Sequence, residues 1–341
     1  MLRLPFSGGN PQPSGAVPRS RQSSREPLYN LRSRRPRGAR MRIEILDLNF
    51  MGAEHVIASF LLLGDRSAAL VETGPTTGLE PLMEGMRDHG VSPEDVSQVF
   101  LTHIHLDHAG ASGHLAGLLP NATFYVHEVG YPHMVDPSKL LKSATRIYGE
   151  RMEELWGEVR TVPEDRIEVL EGGEELDAAD GVLTAHYTPG HAYHHLAYLE
   201  PDSGALFAGD VAGIRLPGAS YVRPPTPPPE IDVEAWAQSI ELIRDLAPGS
   251  LCPTHFGRFD DVERQLDELE RRLRDWLHFV EERVDRGAGR DDIAEELEKK
   301  GEAEMLAEGT QPEDSSGYDL AGDYPTLADG LIRYLSKRRQ S

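Results

Sequence analysis

The segment Thr102-His103-Ile104-His105-Leu106-Asp107-His108-Ala109-Gly110 sets three imidazoles and a carboxylate within six positions, directly after the apolar run Gln98-Val99-Phe100-Leu101. In an extended chain, residues two apart point the same way, so His103 and His105 can meet one cation. Asp107 and His108 follow where the chain turns toward a helix, and adjacent residues there can aim at a second cation. Nitrogen and oxygen ligands of this kind suit Zn2+, which binds them at about 2.0–2.2 Å. One segment cannot close either coordination shell. Three later segments share its grammar of apolar strand, small or turn residue, then ligand type: Thr188-Pro189-Gly190-His191, Phe207-Ala208-Gly209-Asp210 and Pro253-Thr254-His255-Phe256-Gly257. A rigid sheet edge presents groups to a common point in this way.

The whole set, His-x-His-x-Asp-His followed by a lone His, a lone Asp and a last His, resembles that of the metallo-β-lactamase-fold hydrolases of the glyoxalase II kind. The resemblance implies that His103, His105 and His191 hold one zinc, that Asp107, His108 and His255 hold the other, and that Asp210 bridges them. It implies an α/β protein with the four-layer αββα metallo-β-lactamase fold and two Zn2+ per chain, iron or manganese being accepted by the same ligands. The implied activity is hydrolysis of a small ester, thioester or lactone by a metal-bridging hydroxide, with Asp107 orienting that hydroxide or passing a proton to the leaving group. Alternatives within the family are a phosphodiesterase or nuclease and a mononuclear iron dioxygenase of the persulfide-oxidising kind. A metal-binding module without catalysis is the non-enzyme alternative. Where the family commonly has an Asp, this chain has Glu72, which either supports a ligand from behind or caps the turn that follows.

The elements that must position these groups are legible as strands at 42–49, 55–63, 67–71, 98–101 and 123–127, with helices at 78–88 and 113–119. An amphipathic stretch at 134–156 is expected between the halves. The second half reads as strands at 166–170, 183–187, 195–199 and 205–207, then a helix at 231–246 capped near Asp232 and stopped by Pro248-Gly249. His127 and His133 read as strand-end or loop residues, with a place in the cleft as the alternative. His194 and Tyr193 are candidate hydrogen-bond donors to substrate, and backbone satisfaction at a strand start is the plainer reading of His194. Specificity is expected from 128–160 and from the proline-rich 214–230.

Length and composition bound the remainder. At 341 residues there is room for a large core, and the single cysteine, Cys252, excludes a disulfide framework and reads as a small buried strand residue. Residues 1–40 hold nine arginines against one acid and six prolines, without apolar periodicity, and read as a disordered basic extension; Met41 is the expected true start. An arm for nucleic acid is a second reading of 32–40. The catalytic domain is expected over 41–257, followed by a helical C-terminal extension over 258–341, with helices at 259–284, 291–306 and 327–335 flanking an acidic loop. Those helices pack on the core or form a homodimer contact, and their charges read as solvated faces without chemistry. From residue 41 on the net charge is −30, which disfavours a nucleic-acid partner. No apolar run suits a membrane span, so a soluble, cytoplasmic protein acting on a small-molecule substrate is expected.

Overall fold

The computed structural model describes residues 41–310 and 315–340; the basic extension read at 1–40 lies outside the described residues. Continuous apolar runs such as β2 (Ala58–Leu63) and β3 (Ala68–Val71) ask for strands covered on both faces. Both lie inside a six-stranded sheet of order β1 (Arg42–Asp47), β2, β3, β4 (Val96–Phe100), β5 (Thr123–His127) and β6 (Ile167–Leu170). β1 to β3 are antiparallel, and β3 to β6 run parallel. Parallel neighbours need crossovers, supplied by α1 (Leu79–Asp88), by α2 (Leu106–Ala109) with α3 (Ser112–Leu118), and by α4 (Tyr131–Val135), α5 (Ser138–Tyr148) and α6 (Met152–Trp156).

A second sheet has the order β11 (Ser250–Pro253), β10 (Ala205–Gly209), β9 (Leu196–Glu200), β8 (Gly181–Tyr187), β7 (Glu175–Ala178). The α7 helix (Val233–Leu246) crosses between the parallel pair β10 and β11, and the Asp232 side chain accepts from the Ala235 N–H at its start. Side-chain alternation divides the core in three. Between the sheets, Phe60, Leu62 and Phe100 meet Leu183, Tyr198 and Phe207. Outside the first sheet Leu61, Val99 and Phe124 meet Leu82, Met86 and Trp156. Outside the second, Leu206 and Leu251 meet Trp236, Ile240 and Trp276. This is the four-layer αββα order, with Cys252 buried between the sheets.

Three elements differ from expectation. The strand at 166–170, assigned to the second half, pairs parallel with β5 at the edge of the first sheet, because the helical stretch before it serves as a crossover. That stretch is three helices, broken at Pro137 and at the left-handed Gly149. β7 was not expected: its sequence Glu-Leu-Asp-Ala is short and polar, and it is turned onto β8 by Ala179 and Asp180, both at positive φ.

The C-terminal helices α8 (Val262–Asp285), α9 (Arg290–Ala307) and α11 (Tyr324–Arg338) place their apolar stripes in the core outside the second sheet. A short α10 (Ser316–Ala321) stands where an acidic loop was expected. Two fully buried arginines bind these helices to the proline-rich segment 214–229. Arg223 donates to Asp319 Oδ1 at 2.9 Å, to the Gly322 carbonyl at 3.0 Å and to Tyr324 Oη at 3.0 Å. Arg272 donates to Glu304, Glu308 and the Val222 carbonyl, with its guanidinium 4.1 Å from the Tyr221 ring centroid. No helix among the described residues is long and apolar enough to cross a membrane.

Gly330 is where α11 touches that segment, since a methyl group there would overlap the Thr226 carbonyl. We expect Gly330→Ala to cost about 1–3 kcal/mol in urea unfolding; an unchanged midpoint would mean that α11 can shift away freely.

Candidate metal centre

The chain brings all seven ligand types to one place at the carboxyl ends of the strands. β4 ends at Phe100, and the extended residues after it carry His103 and His105 on one side, Nε2 of His103 lying 3.0 Å from Nδ1 of His105. Asp107 and His108 sit in the helical turn α2 rather than in a loop, with His105 at its N-cap. His191 follows β8 and brings Nε2 to 2.9 Å from His105 Nδ1. His255 follows β11, its Nε2 3.3 Å from Asp107 Oδ2. Asp210 follows β10 and lies between the two groups, Oδ2 3.3 Å from His191 Nε2 and Oδ1 3.3 Å from His108 Nε2. The glycine before it is required: Gly209 has φ +48, and a Cβ there would run into Thr102 Oγ1 and His195 Nε2.

Partners on the far side of each ring fix which nitrogen carries the proton. His191 Nδ1 faces the Pro225 carbonyl at 2.9 Å, and His255 Nδ1 faces the Val56 carbonyl at 2.7 Å. His108 Nδ1 lies 3.2 Å from Glu72 Oε1. Thr102 Oγ1 donates to the same Glu72 oxygen and so can accept from His103 Nδ1 at 3.1 Å. In the neutral form of each ring these partners set the proton outward and the lone pair inward. Glu72 is fully buried at φ 70, a left-handed backbone that a glutamate adopts only under surrounding constraint. Of its two sequence readings, support of a ligand from behind is the one its contacts match. It also lies within metal-binding distance of His103 and His108, but it meets His108 at Nδ1, the nitrogen facing away from Asp210.

Electrostatics mark the place as a sink for positive charge. Burial opposes ionisation of Asp107, yet His108 and His255 hold its carboxyl down at about 2. Asp210 is held well below the carboxylate range against the same burial by His108, His191 and His255. Burial would lower His108 and His255 too, but the carboxylates around them, Asp107 and Asp210 in both cases, raise both. Burial drops His191 to about 4 and His103 well below its usual range, so both are lone-pair donors at neutral pH.

His108 Nε2, His255 Nε2 and Asp210 Oδ1 are buried and make no hydrogen bond. Tetrahedral bonds of about 2.0–2.2 Å would put donor atoms about 3.3–3.6 Å apart, close to the spacings found here. His103, His105 and His191 form one cluster that could hold a cation, and Asp107, His108 and His255 form another. These groups fit a dinuclear metal site.

A cavity of about 680 Å3 reaches the cluster, with His105, Asp107 and Asp210 in its lining. His133 and His194 line it as well. His194 accepts from the Ile104 N–H at Nδ1 and points Nε2 at Glu230 Oε2, 3.6 Å away. His195, read only as a surplus histidine at the start of the strand at 195–199, has a further part: its Nε2 accepts from the Asp210 N–H at 3.2 Å and its Nδ1 lies 2.8 Å from Thr188 Oγ1, so it braces Asp210. Tyr193 lies outside the cavity lining, and its hydroxyl donates to Asp232 at 3.0 Å. His127 stacks on Tyr187 outside the cavity lining. The expected specificity segments do line the cavity, but so does Ser316 to Leu327 of the C-terminal region, which was read as free of chemistry. Arg223 draws that region inward, and no local sequence pattern records a contact across 96 residues.

A family model described as the metallo-beta-lactamase superfamily matches residues 53–255. The chain is 31% identical over 169 residues to a metallo-beta-lactamase fold-containing protein of Sulfurisphaera tokodaii, covering 48% of this chain and 62% of that protein. It is 32% identical over 120 residues to an N-acyl homoserine lactonase of Azorhizobium caulinodans, covering 34% and 41%. Other relatives carry thioesterase and hydroxyacylglutathione hydrolase names. The chain thus matches less than two thirds of the length of these relatives. A solved metallo-beta-lactamase family structure from Thermus thermophilus shares the fold, with a TM-score of 0.64 at 22% identity over 87% of this chain and 93% of that one.

Two outcomes follow. Glu72→Gln should weaken zinc binding about 10–100-fold in a chelator competition; unchanged affinity would remove Glu72 from the site. Because His108 and His255 are raised, a metal must displace their protons, so binding weakens as pH falls through those values. Calorimetry near pH 7 in two buffers of different ionisation enthalpy should then give different heats, and equal heats would contradict the proton displacement.

Proposed function

The chain belongs to the metallo-beta-lactamase superfamily, and on that premise we propose that it is a dinuclear metal-dependent hydrolase of a small ester, thioester or lactone. In this reading His103, His105 and His191 hold one zinc, Asp107, His108 and His255 the other, and Asp210 lies between them. Two such cations, when bound, would supply a water acidic enough to attack near neutral pH and would polarise the acyl oxygen.

The chain's own residues do the remainder. The supporting observation is that the cluster opens to the cavity through His105, Asp107 and Asp210, as a catalytic centre with a free coordination position requires. Asp107 is ionised and its side chain is 18% exposed, against 5% for Asp210, so it is the carboxylate that can take a proton from the attacking water and return it to the leaving group. Apolar side chains such as Leu106, Leu155 and Trp156 line the cavity beside the cluster. A cytoplasmic seat suits a chain whose single cysteine is buried and free.

The test is a matched panel of one thioester, one lactone and one phosphodiester with the zinc-loaded protein. We expect turnover of an acyl substrate that falls about 100-fold or more in Asp107→Ala. Turnover of the phosphodiester alone would overturn the acyl reading.

A further inference from the structure

We infer that the cavity selects an uncharged substrate with a bulky apolar acyl group, and that the roof formed by residues 316–327 sets how large that group is; this rests on the acyl-hydrolase reading above. Three separate parts of the chain meet over the candidate metal centre. Leu140, Ile147 and Trp156 come from the crossover helices, Pro228 from the proline-rich segment, and Leu320 and Leu327 from the C-terminal roof. The space, about 680 Å3 and open to solvent on one side, equals on the order of twenty water molecules in liquid volume. An acetyl group would leave most of it unfilled.

The charged groups in the lining decide against an anion. Apart from the candidate ligands, the charged residues there are Lys139 and Arg151 against Glu230, Asp319 and Asp323. Asp319 is matched by Arg223, and Asp323 accepts from the Thr326 N–H at the start of α11. Arg151 has Glu154 at 3.6 Å. Glu230 keeps one oxygen buried and without a hydrogen bond. A phosphate would therefore meet a carboxylate faced by the His194 ring at 3.6 Å, a shared arginine and one exposed lysine, on a chain whose residues 41–341 carry −30. Repulsion of that kind slows the encounter of any polyanionic leaving group such as a nucleotide-bearing thiol.

The experiment offers acyl chains of two to twelve carbons on a neutral thiol, N-acetylcysteamine, and the same chains on coenzyme A. With the neutral thioesters, kcat/KM should rise about threefold to fourfold per added methylene until the cavity is full, then fall. Each coenzyme A ester should lag its neutral counterpart tenfold or more, with the gap narrowing as salt is added. Leu320→Trp should move the optimum to shorter chains and Leu320→Ala to longer ones. A flat length profile, or coenzyme A esters that outrun the neutral ones at low salt, would overturn the inference. Affinities of hydrolysis-resistant methyl ketones, read from tryptophan fluorescence, give the length preference without turnover. Length-dependent affinity with no hydrolysis would sink the hydrolase reading and support the cavity assignment, whereas equal affinities across the series would sink the assignment itself.

Discussion

One buried carboxylate sets the terms for the site. Glu72 stands at the end of β3 with no exposed surface, and a charge taken so far from water is tolerable only when its oxygens are satisfied. Its partners are the Thr102 hydroxyl and N–H, His108 Nδ1 and the Thr254 hydroxyl. Thr102 and His108 belong to the segment after β4 in the first sheet, while Thr254 follows β11 in the second. Glu72 therefore ties together the loops of two sheets where they must agree to within a bond length. Other cross-links follow the same seam: the Leu196 N–H donates to the Thr102 carbonyl, the Ala58 N–H to the Thr254 carbonyl, and the Tyr198 hydroxyl to the Leu101 carbonyl. Four of the inward groups, His103, His108, His191 and His255, are held from behind by side-chain or carbonyl partners, and the backbone of Asp210 is held by His195.

The cluster of candidate ligands was legible because each of the four segments that carry it follows a local rule, a short apolar strand, a small or turn residue, then the donor type, that survives in one dimension. The strands carried their signal the same way where both faces are buried, as in Ala58–Leu63. Legibility failed where a contact has no local signature. β6 looks like any strand of the second half, and only its parallel register with β5 assigns it to the first sheet. β7 rests on two left-handed residues, Ala179 and Asp180, neither of them glycine. The role of Tyr193 turned on Asp232, and that of His195 on the backbone of Asp210. Periodicity speaks for none of these.

The C-terminal helices were visible as helices but not as walls. Their apolar stripes said only that something must cover them, and the second sheet does. What ties the 316–327 stretch to the proline-rich segment is Arg223, while Arg272 ties α8 to α9 and to the same segment, and no stripe predicts either. A buried guanidinium is costly unless its donors find acceptors, and Arg223 and Arg272 find theirs on α9, on α10 and around the start of α11. Polar groups thus anchor the roof, while Leu320, Ala321 and Leu327 bring its apolar contribution to the cavity lining.

The Pro225 carbonyl that holds His191 lies two residues from Arg223, in the same segment that carries Pro228 into the cavity wall. Roof, wall and metal-facing imidazole hang on one short stretch of backbone. Linked equilibria are reciprocal: to the extent that an occupant of the cavity firms this stretch, it tightens the hold of the candidate centre on a cation by the same free energy with which that cation favours the occupant. A change in this stretch is then felt at the cavity wall and at His191 together.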